Sequence, residues 1–414
     1  MTAAEAERLL LSLEVFGMRF GLDRIRRLLT ALGSPQEQLR VIEVVGTNGK
    51  SSTVRMAAAI LRGHGLRTGA YLSPHLSSFT ERIRIDDADV DGATFAAAVS
   101  RAADAADKVN RTQPGGDRVT QFELLTAAAI DCFARAGVDA CVVEAGLGGR
   151  YDATNVLDSE VQLLTNVGLE HTRWLGPTIH DIAVEKLDVV RAGGTLVVGA
   201  DLAPEARSVA EAVCAERGAR LIEAAADPGP GMQLGARGLF QRRNFALAMA
   251  GAEALIGALD DAAVVRAAAQ TLVPGRLEAI AEVPLTLVDG AHNPAGVAAL
   301  VEAVPELVGE RRLVLCVGIR DDKDAAEMLR PLLAVSDAVV ATRAGDERSL
   351  PPATLSSLAQ QLGFSGPSEA IQDPQQALAR ARELAGAGGV ALATGSIYLV
   401  ADLLAPDRAV RSVL

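Results

Sequence analysis

Short apolar runs alternate with longer amphipathic stretches along most of this chain, the pattern of strands separated by helices. Residues 2–32 carry apolar side chains at helical spacing, broken at 16–21. A β-rich run, Val41-Ile42-Glu43-Val44-Val45, leads into glycines and then a helical pattern over 52–62. Further strands are predicted at 140–143, 161–164 and 195–198, with a helix at 179–191. Helical runs between strands imply right-handed crossovers and a largely parallel sheet. After Pro274-Gly275 the alternation starts again, with strands at 285–288, 313–317, 338–341 and 390–393 and helices at 295–304, 325–333 and 375–384. A helical run stops at proline and glycine near 272–276, which sets a boundary there. Two domains are expected, residues 1–273 and 274–414.

Composition narrows the class. Hydrophobic residues make up 49% of the 414 and aromatics only 3%, so the cores must be mostly Ala, Val and Leu. The formal charge of −12 repels a polyphosphate backbone, which argues against nucleic acid as a partner but leaves room for a small anion in a locally cationic site. Cys132, Cys141, Cys214 and Cys316 are scattered, without a CxxC pair or histidines at metal spacing, so neither a disulfide framework nor a zinc site is expected. The N-terminal stretch is acidic and lacks a charged-then-apolar signal pattern. No apolar run reaches the ~20 residues of a membrane helix. The expectation is a soluble protein of a reducing, cytoplasmic compartment.

The chemistry begins after the first strand, at Gly46-Thr47-Asn48-Gly49-Lys50-Ser51-Ser52. Glycines let backbone N–H groups approach phosphate oxygens, Lys50 can neutralise β/γ charge, and a following hydroxyl can reach Mg²⁺ or phosphate. Strand, glycine loop and helix come in the order that aims a helix N-terminus at phosphate. Val44 stands where the strict Walker pattern has glycine, so this is a variant loop. A glycine-rich turn with a surface lysine is the plainer alternative.

The loop is similar to that of the Mur ligase superfamily, and more narrowly the folylpolyglutamate synthase/dihydrofolate synthase family. Other segments carry the resemblance in order: Ser73-Pro74-His75-Leu76, Thr80-Glu81-Arg82-Ile83, and the signature-like block from Glu144-Ala145-Gly146-Leu147 to Asp152-Ala153-Thr154-Asn155. Gly168-Leu169-Glu170-His171-Thr172, Glu185-Lys186, Arg242-Arg243-Asn244, Pro274-Gly275-Arg276, Asp289-Gly290-Ala291-His292-Asn293-Pro294, Asp322-Lys323-Asp324 and Gly395-Ser396 continue it. The resemblance implies a Rossmann-like P-loop ATPase domain with a mostly parallel sheet plus a smaller C-terminal α/β domain, with the active site in the cleft between them. It implies an ATP-dependent ligase: a carboxylate is phosphorylated, and the amine of L-glutamate displaces phosphate to give an amide. Dihydropteroate, reduced folates, L-glutamate and ATP are the implied partners, and the implied chain is a monomer.

Roles follow from the resemblance residue by residue. Thr47, Asn48, Gly49, Lys50, Ser51 and Ser52, with Asn244, Arg276 and Asp289, match ATP-contacting positions. Ser73, Glu144 and His171 match metal ligands, implying two Mg²⁺ ions, and Lys186 matches a lysine used in carbamylated form. Lys50, Lys186 and His292 form the implied catalytic set. Arg19, Phe20, Gly21 and Leu22, then Thr120, Gln121, Phe122 and Glu123, then Tyr151, Asp152 and Ala153 match the pterin-binding segments. Taken singly, most have plainer readings: Lys186 a helix-face lysine, Phe122 helix packing, Arg276 a linker ion pair, His171 a structural histidine. Gln121 departs from the aromatic common at its position, and Ser51 replaces a frequent glycine. Two other functions compete. A cell-wall ligase of the superfamily would carry a dedicated N-terminal domain, whereas about 40 residues precede the loop here. A non-ligating P-loop NTPase would not need the C-terminal motif series.

Overall fold

The computed structural model describes residues 1–13, 21–112 and 117–404, which divide into two compact units. The first comprises Met1–Leu234 and Arg242–Thr271; the second comprises Gly235–Gln241 and, among the described residues, the chain from Leu272 to Leu404.

The first unit is built on an eight-stranded sheet. Its strands are β1 (Arg40–Val45), β2 (Thr68–Tyr71), β3 (Ile83–Ile85), β4 (Ala88–Asp89), β5 (Ala140–Glu144), β6 (Val161–Leu164), β7 (Thr195–Val198) and β8 (Arg220–Glu223). They lie in the order β4-β3-β2-β5-β1-β6-β7-β8. From β2 to β8 all pairings are parallel; β3 and β4 fold back antiparallel at one edge. β5 and β6 are fully buried and β1 is buried beyond Arg40, as parallel strands covered by crossover helices must be. β1 is flanked by β5 and β6, with Val44 opposite Glu144 and Val45 opposite Leu164. That register brings Gly46, Ala145 and Thr165 to one level at the carboxyl ends of the strands, where open α/β sheets bind ligands.

Alternate residues of β1 share a face, so Val41, Glu43 and Val45 point the same way. Val41 joins the apolar cluster made with the helices Gly92–Thr112 and Gln121–Ala136. Val45 joins another, with the helices Ile179–Leu187 and Pro204–Arg217. Glu43 lies between them in the strand and is fully buried.

The second unit has six strands, β9 (Glu278–Glu282), β10 (Leu285–Val288), β11 (Leu313–Val317), β12 (Ala338–Ala341), β13 (Ser368–Ala370) and β14 (Val390–Thr394), ordered β13-β12-β11-β14-β10-β9. Only β9 runs antiparallel. The expected Rossmann-like domain and smaller C-terminal α/β domain are both present. The helix expected at 179–191 ends earlier, at Leu187, because the chain turns at Asp188 into Val190, whose N–H bonds back to Leu187. Among the described residues, no helix is long and apolar enough to cross a membrane.

Candidate active site

The glycine loop is shaped by what touches it. Gly49, at φ +85, is the N-cap of the helix Lys50–Gly63, a backbone region that glycine enters without steric cost. A Cβ on Gly49 would come within 2.5 Å of Asn244 Oδ1, so Asn244, from the helix Leu239–Ile256, packs directly on the loop. The segment after β6 braces the other side. Asn166 accepts from Thr47 N–H through its carbonyl at 3.0 Å and from Asn48 N–H through its side chain at 2.9 Å. Thr165 Oγ1 donates to Asn48 O at 2.6 Å, and Gly168 N–H donates to Thr47 Oγ1 at 2.9 Å. The loop is therefore held before any ligand arrives, the condition for electrostatic preorganisation.

Two lysines converge on one acceptor. Lys50 Nζ lies 3.2 Å from Gly46 O and 3.1 Å from Thr47 O, and Lys186 Nζ donates to the same Gly46 O at 2.8 Å. Lys186 is buried on the helix Ile179–Leu187. Burial first, and the charge of Lys50 second, push its ammonium down to about 7, against the opposing pull of Glu170 and Asp152. A helix-face lysine in water would show none of this.

Glu144 ends β5 and is 1% exposed. Its Oε1 accepts from Ser51 Oγ at 2.9 Å and its Oε2 from the Ser73 N–H at 3.0 Å. Hydroxyl and carboxylate oxygens beside a phosphate loop form the hard donor set that Mg²⁺ prefers when phosphate supplies the rest. The donor chemistry fits that ion. Among the described residues no cluster of three or more His, Cys, Asp or Glu side chains could hold a metal by itself. His171 is exposed, at φ +53, on the segment that follows Gly168 and precedes the short helix Thr172–Leu175.

The expected pterin segments divide by their bonding. Phe122 is half-buried against the signature-like block: a Cβ on Gly146 would lie 2.7 Å from its ring. Tyr151 is 40% exposed, while Ala153 is buried. Thr120 and Glu123 form a capping box on the helix Gln121–Ala136, and Glu123 also takes the Arg24 guanidinium at 3.0 Å. Gln121 Nε2 donates to Leu10 O at 2.8 Å, tying this helix to Ala3–Ser12. Asp152 is buried, accepting from Leu147 N–H at 2.8 Å and Thr154 N–H at 3.0 Å. Gly21 and buried Leu22 precede the helix Asp23–Ala31; Arg19 and Phe20 lie outside the described residues.

Arg276, Asp289 and His292 gather around the turn after β10 in the second unit. Asp289 accepts from Leu277 N–H at 2.9 Å and Ala291 N–H at 2.8 Å, and burial raises its carboxyl. Arg276 Nη1 donates to Gly275 O at 3.1 Å and covers Gly290, where a Cβ would strike it. His292 Nδ1 lies 2.8 Å from Gly290 O.

Two features of the first unit escaped the sequence reading: the Thr165–Asn166 brace that orients the loop, and the buried Glu43. Only the last had a signal, a carboxylate inside an otherwise apolar strand.

Residues 275–397 match the family model described as Mur ligase, glutamate ligase domain. A probable bifunctional folylpolyglutamate synthase/dihydropteroate synthase of Haloferax volcanii is 35% identical over 96% of this chain, which spans 50% of that relative. The dihydrofolate synthase/folylpolyglutamate synthase of Mycobacterium tuberculosis is 36% identical over 80% of this chain and 75% of its own length. Among solved structures, a folylpolyglutamate synthase of Mycobacterium tuberculosis complexed with ADP superposes with a TM-score of 0.90 at 31% identity, covering 99% of both chains. A bifunctional folylpolyglutamate synthase/dihydrofolate synthase of Yersinia pestis, complexed with AMPPNP and a Mn ion, gives 0.85 at 29% identity over 98% of each.

Proposed function

The chain belongs to the folylpolyglutamate synthase/dihydrofolate synthase family, and from that premise we propose that it is an ATP-dependent ligase joining L-glutamate to dihydropteroate, to a reduced folate, or to both. The observation that carries this reading is Glu144 bonded at once to Ser51 of the phosphate loop and to Ser73. It supports one divalent-metal and phosphate site built from three separate segments of the first unit.

A carboxylate is a poor acyl donor because its oxygen leaves badly. Transfer of the γ-phosphoryl group to it creates an acyl phosphate and ADP. Attack by the glutamate amine then forms the amide, expels phosphate, and releases a proton from nitrogen. Bringing two anions together calls for fixed cations, and Lys50, held at Gly46 O in the phosphate loop, supplies that charge. Thr47, Asn48, Gly49, Ser51, Ser52 and Asn244 would line the phosphate loop. Ser73 and Glu144 would hold one Mg²⁺, which supplies charge neutralisation; His171 would serve a second.

For Lys186, a lowered pKa supports carbamylation, since only the neutral amine adds to carbon dioxide. The product exchanges a cation for a carboxylate and releases one proton. Phe122, Tyr151, Asp152 and Ala153 are proposed for the pterin. Arg276 is proposed as a phosphate cation, Asp289 as a ribose acceptor with lone pairs beyond its two amide bonds, and His292 as a catalytic group beside them.

The test is a product assay by mass, with ATP, L-glutamate and either dihydropteroate or tetrahydrofolate. A glutamylated product with each acceptor supports a bifunctional ligase. Phosphate release that persists unchanged when either acceptor is omitted favours a plain NTPase instead.

A further inference from the structure

Thr154 Oγ1 lies 2.8 Å from Glu43 Oε1 and 2.8 Å from Asp152 Oδ1. A hydroxyl has one proton to donate. If both carboxyl groups were ionised, one of these short contacts would join an anion to a lone pair. The two distances therefore call for a second proton on the line, and a carboxyl group must carry it.

The donors decide which one. Asp152 receives two backbone N–H groups, from Leu147 at 2.8 Å and Thr154 at 3.0 Å, besides the hydroxyl. Amide donors favour the ionised form. Among the described residues none donates an N–H to Glu43: its other oxygen faces Ser159 Oγ at 3.2 Å, and that hydroxyl in turn accepts from Gln162 Nε2 at 2.8 Å. Glu43 is 0% exposed, in mid-strand between two apolar clusters. The charged groups acting on it are Arg191 and Asp152. The Arg191 guanidinium is hydrogen-bonded to the carbonyls of Asn155 and Leu157 and to Asn155 Oδ1. Around Asp152 the facing charges are Glu43 and Lys186, with the phenol of Tyr71 nearby.

We propose that Glu43 holds a proton and donates it to Thr154, that Thr154 donates to Asp152, and that this chain fixes Asp152 as a carboxylate beneath the Gly146-Leu147 turn. Glu43 is thus a positioning residue, acting on the pterin subsite through two intermediaries. That last step rests on the role proposed above for Asp152; the location of the proton does not. Burial raises both carboxyl groups and brings Glu43 to about 7, in keeping with the assignment.

Infrared difference spectroscopy of the full chain at pH 6 tests the proton directly, comparing wild type with Glu43→Gln. The expected result is the carbonyl stretch of a protonated carboxylic acid that shifts when glutamate carboxyl carbons are ¹³C-labelled and vanishes in Glu43→Gln. No such band, or one that ignores the glutamate label, overturns the assignment whether or not the enzyme is a folate ligase. A kinetic measurement then tests the positioning. The amide of Glu43→Gln donates to Thr154 at every pH, so its KM for dihydropteroate should stay flat from pH 6 to 8.5 while that of wild type rises several-fold. A rise of equal size in both proteins overturns the positioning role.

Discussion

Lys50 and Lys186, 136 positions apart in the chain, direct their ammonium groups at the same carbonyl oxygen, that of Gly46. Two cations on one acceptor repel, and the buried one yields: Lys186 is pushed down to about 7. Replacing Lys186 with Ala should lower ligase turnover by at least about 10²-fold, the scale of removing a preorganised electrostatic group. Added short carboxylic acids should restore part of it by standing in for a carbamate. Full activity without additive would remove Lys186 from the chemistry.

The same shift has a stability sign. The folded protein releases the Lys186 proton near 7, and the unfolded chain near 10.5. Between those values the unfolded chain holds more protons, so stability contributed through this group rises with pH. Glu43 acts over a lower window and in the opposite sense. Folded, it keeps its proton to about 7; unfolded, it loses it near 4.5. Its contribution is present below 4.5 and is lost as pH climbs to about 7, by roughly 3 kcal/mol at most. Glu43→Gln should flatten the decline of melting temperature over that interval, measured by calorimetry; an identical slope in both proteins would discount the linkage.

Glu144→Gln keeps the shape that bonds Ser73 N–H and Ser51 but removes the charge. We expect a folded protein whose turnover falls by about 10²-fold or more and whose Mg²⁺ requirement moves to higher concentration. Titrating activity against Mg²⁺ checks it; unchanged half-saturation would show that Glu144 does not serve the ion.

Gly46→Ala should fail for a different reason. The residue sits at φ +149, and a Cβ would overlap the Thr165 hydroxyl that donates to Asn48 O. The expected cost is about 1–3 kcal/mol in denaturant unfolding, with loss of ATP binding by calorimetric titration. Retained affinity would mean that the brace is dispensable.

Glu123 offers a contrast within a segment assigned to substrate. Its carboxylate is buried between the Arg24 guanidinium and its own helix cap, and Arg24 also bonds Asp117 at 2.8 Å. Arg24→Ala should destabilise the first unit by about 3–5 kcal/mol, because Glu123 is left buried without its charged partner. The KM for dihydropteroate should change little in the protein that remains folded, and a selective rise in KM at unaltered stability would return this pair to the binding site.

The strands of both sheets could be read from sequence wherever four or five apolar residues stood between helical patterns: β6, β7, β10, β11 and β12 fall where expected. The edge strands did not show. β3, β4 and β9 contain Arg84, Asp89 and Glu278, and strands with one face in water carry no continuous apolar run. Gly235–Gln241 groups with the second unit through contacts distant in sequence, which local pattern does not encode. The same holds for the site. Lys50 and its loop announce themselves because backbone and lysine chemistry are packed into a few consecutive positions. Lys186 was singled out only through a family likeness, since nothing local distinguishes a helical lysine from one aimed at Gly46, whereas Glu144 also stood at the end of an apolar strand. Asn166 and Thr154 act by meeting other segments, and such meetings have no local pattern.

The register of β1 between β5 and β6 carries a consequence for how this protein can change. Three neighbouring strand tips deliver the phosphate loop, the Glu144 carboxylate and the Thr165 brace from a common edge, so the sheet works as a ruler for their separation. A residue gained or lost in one connecting loop displaces one of these parts alone. A slip of one position within β1 would invert its faces and strand all three together. Retargeting this scaffold to a new acid is therefore a matter for its loops, while its central strands set the geometry that any such acid would inherit.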